Sequence, residues 1–279
     1  MNLIKLISMY IYTLFISCYS LELEKKDIIS NQWQGQKIRV AKLKEDYKKQ
    51  IRHHKVFTKF SSIKFIPYHK FLGNEYEIVG FYELNKQNYL VIEDKKKRIF
   101  KFPCKKNALP SFIFFVKTFE NAKNLIGNNI WLNDVFDQEN FLTNYPRNFI
   151  PFQNVNVKDI ISFQNSNAGH PIWLEVVTEN GEDATVRYNS PGGRVATKEH
   201  YFKIDPFPKN WGNEVNKKIK NRIADVGMTS RQVQIAKGYP SKIINTSSLH
   251  GVSEQWIYPL ENKKIYYQFE YDTLIYINN

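Results

Sequence analysis

The spacing of apolar residues changes along the C-terminal part of the chain. Between Val215 and Val226, four apolar residues follow one another at intervals of three or four, which predicts a helix. Thr229, with Gln232 three residues later, forms a capping-box pattern and predicts the start of a second, short helix. Gly238 and Pro240 predict the end of that helix. The pattern therefore indicates two consecutive helices.

Apolar and polar residues alternate further downstream, at the spacing of β-strands. The alternating runs are Ile243–Thr246, Glu254–Tyr258 and Ile265–Glu270, and a short apolar run follows at Leu274–Ile277. Turn-rich segments separate these runs, as in an antiparallel meander. The predicted order in this part of the chain is helix, helix and small antiparallel sheet.

Several short motifs within residues 213–277 resemble the SmpA/OmlA (BamE-like) family. The matching residues are Gly227, Met228, Thr229, Gln232, Val233, Gly238, Pro240, Gln255, Trp256 and Tyr258. The resemblance implies a module of two helices on a three-stranded sheet, usually in an exported lipoprotein, in which these residues are mainly structural. The family's best-known member is a non-catalytic accessory subunit of outer-membrane protein assembly. Asp272 stands where the family usually has glycine, so we expect a different final turn.

An internal repeat occupies the first two thirds of the chain. Residues 35–40 match residues 127–132, each beginning with glycine and placing isoleucine three positions later. The tripeptide Phe-Ile-Pro occurs at 65–67 and again at 149–151, and each copy lies at the same distance from a leucine, Leu90 or Leu174. Self-similarity of this kind predicts two copies of one structural unit, near 30–104 and 122–207.

Each copy shows short alternating runs separated by turns. In the first copy these are Ile38–Val40, Tyr76–Leu84, Tyr89–Glu93 and Ile99–Phe102, and in the second Ile130–Leu132, Val157–Phe163, Ile172–Thr178 and Thr185–Tyr188. Short strands around one core predict a small barrel. The opening Gly-x-x-Ile-x-hydrophobic, the long loop and the hairpin pair resemble bacterial SH3-like domains, which mostly bind peptide, glycan or protein partners.

These patterns predict a mainly β fold with a C-terminal α+β module. Two repeated small SH3-like β-barrel domains precede the two-helix, three-stranded BamE-like module. The expected boundaries are 1–20 for a signal peptide, 21–106 for a basic first repeat, 107–121 for a connector, 122–207 for the second repeat and 213–279 for the module.

The N-terminus is typical of a secretory signal peptide. Residues 1–20 contain one lysine, an apolar run at Leu6–Ile16 and, after it, small residues of the kind found at cleavage sites. The run is short for a transmembrane helix, which needs ~20 residues, and an uncleaved anchor is the alternative. Phe15–Cys18 resembles a lipobox, which would make Cys18 a lipidation site, whereas cleavage after Ser20 competes. We therefore expect an exported protein, either periplasmic or anchored in the cell envelope.

Motifs that carry enzyme chemistry are missing from the sequence. Six histidines occur without a His-x-x-x-His or His-Glu-x-x-His pattern, so a zinc hydrolase has no support. There is no Gly-x-Ser-x-Gly nucleophile elbow. Cys104 precedes no helix start that would activate a thiol, and a buried lone cysteine usually acts as a small apolar residue. The sequence assigns no catalytic residue, no metal and no cofactor.

Charge is distributed unevenly along the chain. The formal net charge is +13, and Lys25–Lys106 holds 21 of the 40 Lys and Arg but 8 of the 27 Asp and Glu. The densest part is Lys42–Lys64. The residues predicted to form a basic binding patch are Lys48, Lys49, Arg52 and Lys55. A solvated lysine-rich loop is the alternative interpretation.

The expected partner is an envelope protein or an anionic membrane or cell-wall polymer. Nucleic acid is not expected, because an exported chain rarely meets it and no recognition helix or stacking motif is present. The predicted function is that of an exported bacterial cell-envelope protein that is non-catalytic and acts in binding, assembly or surface maintenance. The alternative is a cell-wall-associated enzyme recruited to its substrate by SH3-like domains.

Overall fold

A computed structural model describes residues 28–43, 57–106, 108–133, 150–164, 171–189, 199–248, 251–261 and 263–278. The chain divides into two compact units. The first unit ends at Glu120 and also includes Ser162–Pro171, whereas the second comprises Asn121–Ile161 and Ile172–Asn279. Within the described ranges, no helix combines the length and the apolar character needed to cross a membrane.

The first unit is built around an antiparallel sheet of seven strands. Its strands, with the short β2 outside the sheet, are β1 (Lys37–Val40), β2 (Lys42–Leu43), β3 (Phe57–Lys59), β4 (Phe65–Ile66), β5 (Glu75–Leu84), β6 (Gln87–Asp94), β7 (Ile99–Cys104) and β8 (Ile113–Phe115). The order across the sheet is β4-β3-β7-β6-β5-β1-β8. A 3-10 helix, Tyr68–Phe71, precedes β5. Strand β2 pairs in parallel with residues 163–164 of the same unit.

Apolar side chains cover both faces of this sheet. The larger cluster contains Ile38, Ile78 and Leu90, all fully buried, together with the aromatic residues of β3, β7 and the 3-10 helix. A smaller cluster around Phe60 and Val91 lies on the opposite face. The abundance of phenylalanine and tyrosine in the sequence is explained in part by this two-sided core.

The second unit contains two sheets. The strands of the first are β9 (Asn129–Leu132), β10 (Asn154–Gln164, whose last three residues are assigned to the first unit), β11 (Ile172–Thr178), β12 (Asp183–Arg187) and β13 (Tyr201–Phe202), in the order β12-β11-β10-β9-β13. The strands of the second are β14 (Lys242–Ser248), β15 (Gly251–Leu260), β16 (Lys263–Glu270) and β17 (Thr273–Asn278), an antiparallel meander. The helices of the described chain are α1 (Val116–Lys123), α2 (Asn213–Lys220) and α3 (Ser230–Lys237).

One apolar cluster joins the helices α2 and α3 to the meander. Ile219 of α2 and Val233 of α3 are fully buried against Trp256 of β15 and Phe269 of β16. Phe202 of β13 belongs to the same cluster, so the core continues to the neighbouring sheet of this unit. Burial of this apolar surface supplies the main stabilisation of the two short helices, which would be marginal alone.

The prediction of a mainly β fold is confirmed, and the fold includes a curled antiparallel sheet of half-barrel form. Two details of the expected C-terminal module are wrong. The meander has four strands instead of three, because residues 273–278 pair with β16 through a β-bulge between Gln268 and Phe269. The first helix ends at Lys220 although apolar residues continue at helical spacing to Val226, which is 56% exposed.

The end of α2 is a Schellman motif with arginine in place of the usual glycine. Arg222 N–H donates to the Ile219 carbonyl at 2.9 Å, and Ile223 N–H donates to the Lys218 carbonyl at 2.9 Å. Arg222 has a φ of 60°, a left-handed conformation that glycine adopts most easily. The chain therefore leaves the helix at a position that carries no glycine signal.

The first sheets of the two units share a strand order. In β7-β6-β5-β1-β8 and in β12-β11-β10-β9-β13, the first four strands stand side by side in reverse chain order. The last strand of each series, β8 or β13, pairs antiparallel with β1 or β9, which comes first in the chain. The backbone N–H of Gly35 donates to Ile78, and that of Gly127 donates to Val157, at 2.9 and 2.8 Å. Both glycines have φ near 80°, which explains why glycine opens each repeated motif.

The repeated motifs are equally spaced because two differences in the number of intervening residues cancel. Tyr76, which pairs with β1, lies nine residues after Pro67, whereas Val155, which pairs with β9, lies four residues after Pro151. The 3-10 helix takes up the additional residues in the first unit. The second unit has correspondingly more residues between the start of β10 and β11. The number of residues from the Phe-Ile-Pro motif to the leucine of the next hairpin is therefore the same in both units.

Candidate interaction surfaces

The β3–β4 hairpin presents apolar side chains to solvent. Ile63 is 91% exposed and Phe65 is 49% exposed, and both lie at the end of the hairpin. The lysines at 59, 64 and 70 are also exposed. We call the segment Ser61–Phe65 the hairpin tip.

Hydrogen bonds hold the hairpin tip in one conformation. Ser62 N–H donates to the Lys59 carbonyl at 3.1 Å, and Lys64 N–H donates to the Ser62 hydroxyl oxygen at 3.0 Å. The base of the tip is fixed by Phe60, which is buried, and the buried Lys101 ammonium donates to the Phe60 carbonyl at 2.8 Å. The tip is thus an ordered element with apolar side chains outside the core.

The turn between β6 and β7 forms a second basic surface of the first unit. Residues 95–98, three lysines and one arginine, are all exposed. The Asp94 carboxylate orders the turn, accepting from the N–H groups of Lys96 and Arg98 at 2.9 Å each. Burial raises the pKa of Asp94, but the hydrogen bonds from Arg98 and Lys96 outweigh it and hold this pKa below its ordinary value.

The C-terminal meander of the second unit has one open face. Trp256, Tyr267 and Leu274 point toward α2 and α3, so alternation places their neighbours on the other side. The row across the sheet on that side is Ile244, Gln255, Gln268 and Tyr276, in register on all four strands. A shallow depression of about 450 Å³ lies at one end of this face, lined by Pro259, Glu261, Lys263, Lys264 and Tyr266.

Arg222 connects elements of the second unit that are far apart in the sequence. Its guanidinium donates to the Asn133 side-chain oxygen at 2.8 Å, to the Asn133 carbonyl and to the Ile235 carbonyl at 3.1 Å. The same group lies 4.4 Å from the ring centroid of Phe152. This contact set joins β9, the end of α2 and α3, so its role is structural.

A small cleft beside this joint is too small for a cofactor. Its volume is about 10 Å³, close to the minimum for one water molecule. The lining residues are Asn133, Glu199, Phe202, Arg231, Gln234, Gly238 and Tyr239. The Tyr239 hydroxyl donates to a Glu199 carboxylate oxygen at 3.2 Å, which accounts for part of its polar lining.

The described residues form no constellation that would bind a metal ion through three or more His, Cys, Asp or Glu side chains. Burial raises the pKa of the Cys104 thiol to about 11, and a hydrogen bond from the Leu90 backbone only partly offsets it. A thiol with such a pKa is a poor nucleophile near neutral pH. His200 is buried and His69 is exposed, and they lie in different units.

The predicted binding and lipidation residues lie outside the described residues. These are Cys18, Lys48, Lys49, Arg52 and Lys55. Their predicted roles stay predictions. The basic surfaces described above, the hairpin tip and the turn at 95–98, belong to the same part of the chain in which the sequence concentrates positive charge.

The residues of the C-terminal motif lie mostly in the core or at helix ends. Thr229 caps α3 in a complete capping box with Gln232, as predicted. Gly238 ends this helix with φ 86°, and its carbonyl accepts from the buried Tyr258 hydroxyl at 2.8 Å. Gly227 N–H donates to the Leu274 carbonyl at 2.8 Å.

Four further residues of the motif are divided between the core and the surface of the sheet. Met228, Val233 and Trp256 are buried in the cluster beneath the meander. Gln255 lies on the open face of the sheet. The packing of the buried residues provides a structural explanation for them without a ligand.

The final turn of the meander has a left-handed backbone at two residues that are not glycine. Tyr271 and Asp272 have φ of 44° and 66°, left-handed values in a two-residue connection. The Asp272 side chain accepts from the Ser230 hydroxyl and from the Ser230 N–H. The Asp272 side chain thus adds to the link between the turn and the start of α3, where the Asp272 backbone carbonyl also accepts from Ser230 N–H at 3.1 Å.

Sequence reasoning missed the hairpin tip and the Arg222 contacts. The tip carried a local signal, since Ile63 and Phe65 alternate with Lys64 next to the serine pair Ser61-Ser62. Arg222 carried none, because its partner Asn133 is 89 positions away. No family model, curated protein or solved structure matches the chain.

Proposed function

We propose that this chain is an exported, non-catalytic cell-envelope protein whose basic first unit contacts an anionic surface. The observation that carries the proposal is the charge of that unit. The segment Phe57–Asn74 contains three lysines and no carboxylate. The exposed turn at 95–98 adds Lys95 and Lys96, whereas Lys97 and Arg98 of the same turn are paired with Glu93 and Asp94. Surfaces of one sign attract anionic lipid or polymer within a Debye length of ~8 Å at physiological salt.

The signal-like residues 1–20 support the placement outside the cytoplasm. Such a segment directs export, and a lipidated Cys18 would retain the chain at a membrane. Stable anchoring requires more than one acyl chain or a basic surface in addition. The positive charge of the first unit would supply that second contribution.

The arrangement of strands and helices also supports a binding role. The shared five-strand order is consistent with two SH3-like domains, and the α2–α3–meander arrangement is consistent with a BamE-like module extended by one strand. Modules of these kinds act through surfaces and grooves. The open face of the meander, with its Ile, Gln and Tyr side chains, is the second surface that we assign to a protein partner.

The experiment is a sedimentation assay with the chain from Leu21 onward, which keeps every described element. We expect binding to vesicles containing phosphatidylglycerol at 50 mM salt, weaker binding at 300 mM salt, and no comparable binding to phosphatidylcholine vesicles. Isolated sacculi, assayed in parallel, distinguish a lipid from a polymer surface. Equal binding to both vesicle types, or binding that is independent of salt, would contradict the proposal.

A matched pair of variants separates the first unit from general charge. Lys95→Gln with Lys96→Gln removes two exposed lysines from the β6–β7 turn, and Lys263→Gln with Lys264→Gln removes two from the start of β16. Each lysine near an anionic membrane contributes on the order of 1 kcal/mol. We therefore expect roughly a tenfold or greater loss of affinity for the first pair and little change for the second.

A further inference from the structure

We propose that the hairpin tip inserts Ile63 and Phe65 into the headgroup region of an anionic lipid bilayer, with Lys59, Lys64 and Lys70 on the lipid phosphates. The inference rests on the proposed function, because it names which anionic surface is bound and by which residues. The occupant of this surface is a bilayer, in contrast to a soluble protein or a polysaccharide.

The exposure of the tip is the first observation. Ile63 at 91% is the most exposed of the large apolar side chains that the structure describes, and Phe65 lies two positions away on the same tip. Single exposed apolar residues are common on protein surfaces. Here two of them lie two positions apart at the end of one hairpin, Ile63 in the connecting loop and Phe65 at the start of β4, with a lysine between them. Apolar side chains beside basic ones suit a membrane interface.

The charge around the tip is the second observation. Between Phe57 and Asn74 there is no carboxylate to repel an anionic surface or to neutralise the lysines. Lysine also suits this depth, because its aliphatic stem lies along the apolar region while its ammonium reaches the headgroups. The surface is therefore complementary to lipid phosphates and acyl chains together.

The order of the tip is the third observation. One backbone bond at Ser62, one bond from Lys64 N–H to the Ser62 hydroxyl and the buried Phe60 at the base brace the loop in the absence of lipid. A preorganised loop loses little conformational entropy on insertion, so more of the burial energy appears as affinity. The loop needs no rearrangement to present both apolar side chains.

The chain length upstream permits the contact. Ten positions separate Cys18 from Ile28, the first described residue, and an extended chain of this length spans at most about 35 Å. If Cys18 is lipidated, the first unit is held within that distance of the bilayer. A domain of about 100 residues has a radius of gyration near 13 Å, so the tip is within reach of the surface.

The test places an environment-sensitive fluorophore at the tip of the full-length chain reconstituted with vesicles. Cys18→Ser and Cys104→Ser remove the natural thiols, and Ile63→Cys or Phe65→Cys carries the label. The matched control is Ile204→Cys, another isoleucine beside a lysine, 80% exposed and in the second unit. Unfolding midpoints equal to that of the unlabelled background show that each variant is folded.

We expect the labels at 63 and 65 to shift to shorter wavelength and gain intensity with phosphatidylglycerol vesicles. With phosphatidylcholine vesicles the change should be several-fold smaller, and the label at 204 should not respond. Adding Lys59→Gln, Lys64→Gln and Lys70→Gln should reduce the response at 63 to the phosphatidylcholine level.

Three outcomes would overturn the inference. They are unchanged labels at 63 and 65, equal responses at all three positions, and a response to sacculi but not to vesicles. The labels at the tip could stay in water while the chain from Leu21 still sediments with anionic vesicles in a salt-dependent way. In that case the inference that the tip inserts is wrong and the proposed function stands. If that sedimentation is also lost, both fail.

Discussion

Arg222 donates two hydrogen bonds to Asn133, one to its side-chain oxygen at 2.8 Å and one to its backbone carbonyl. Asn133 is buried, with 3% of its surface exposed. The contact joins the end of β9 to the end of α2. Together with the shared apolar cluster, this side chain links the β12–β13 sheet of the second unit to its helices.

Replacing Arg222 should destabilise the second unit. Arg222→Lys keeps the charge but cannot donate in the same fork geometry, so a buried oxygen of Asn133 loses its donor. We expect a loss of about 1–3 kcal/mol in the free energy of unfolding, measured by urea denaturation. Arg98→Lys, at an exposed pair, is the control and should cost ~1 kcal/mol or less.

Arg222→Gly provides the sharper comparison. Glycine relieves the left-handed φ of 60° but removes every side-chain contact. If this variant is as stable as wild type or more stable, the hydrogen bonds to Asn133 do not stabilise the contact between the ends of β9 and α2.

Gly80 is the position at which a methyl group should be least tolerated. A Cβ there would overlap the Ile29 carbonyl oxygen and lie 2.8 Å from Ile28 Cγ2. Because the obstructing atoms include backbone, we expect Gly80→Ala to cost about 1–3 kcal/mol and to expose residues 28–29 to proteases. Gly212→Ala, in open space, is the control. Equal unfolding midpoints for the two variants would refute the close approach.

The ion pair between Arg39 and Glu75 should contribute to stability only above acidic pH. The hydrogen bond from Arg39, at 2.6 Å, is the main cause that lowers the pKa of Glu75 below 4.5. A carboxyl with a depressed pKa stabilises the fold above its unfolded pKa, and this contribution disappears as pH falls through the folded pKa. Because the pair is partly exposed, we expect less than about 1 kcal/mol.

The measurement is the free energy of unfolding between pH 3 and pH 7. Glu75→Gln should lose stability at pH 7 and show a flatter acid profile. Arg39→Met should have the same effect, and combining the two substitutions should add little, since they remove one interaction. Additive effects of the two substitutions would show that the groups act independently.

The Cys104 thiol should react slowly. With its pKa raised to about 11, two units above the ordinary 9.0, the thiolate fraction at pH 8 is roughly 100-fold lower than for an exposed cysteine. We expect iodoacetamide to alkylate Cys104 in a Cys18→Ser background at a rate that rises about tenfold per pH unit from 7.5 to 9.5. A plateau near pH 9, or a rate equal to that in urea, would contradict this.

The sequence predicted best those elements whose signals are local. Thr229 and Gln232 lie one turn apart, and their capping box forms as predicted. Gly181 has a φ of 80° in the hairpin between β11 and β12, where the sequence has an Asn-Gly pair, a strong local signal for a hairpin turn. Propensity and hydrogen bonding within a few residues decide both features.

The features that the sequence did not predict depend on distant contacts. The helical spacing that continues past Lys220 is interrupted because Arg222 is held by Asn133, which no local pattern reveals. Strands β3 and β4 are only three and two residues long, and they form because β7 offers a paired edge. Strands of this length carry too few residues for alternation to be recognised.

The single bridge between Ile29 and Phe81, with hydrogen bonds of 2.7 and 2.8 Å in the two directions, has a mechanical consequence. Among the described residues, this bridge is the first pairing that tension applied from the N-terminal side would reach. The bridge joins one residue outside the strands to Phe81 of β5 through a single pair, so we expect it to break before the eight residue pairs of β5 and β6. Once it breaks, the chain that precedes β1 can extend under force while the β5–β6 pairing stays intact.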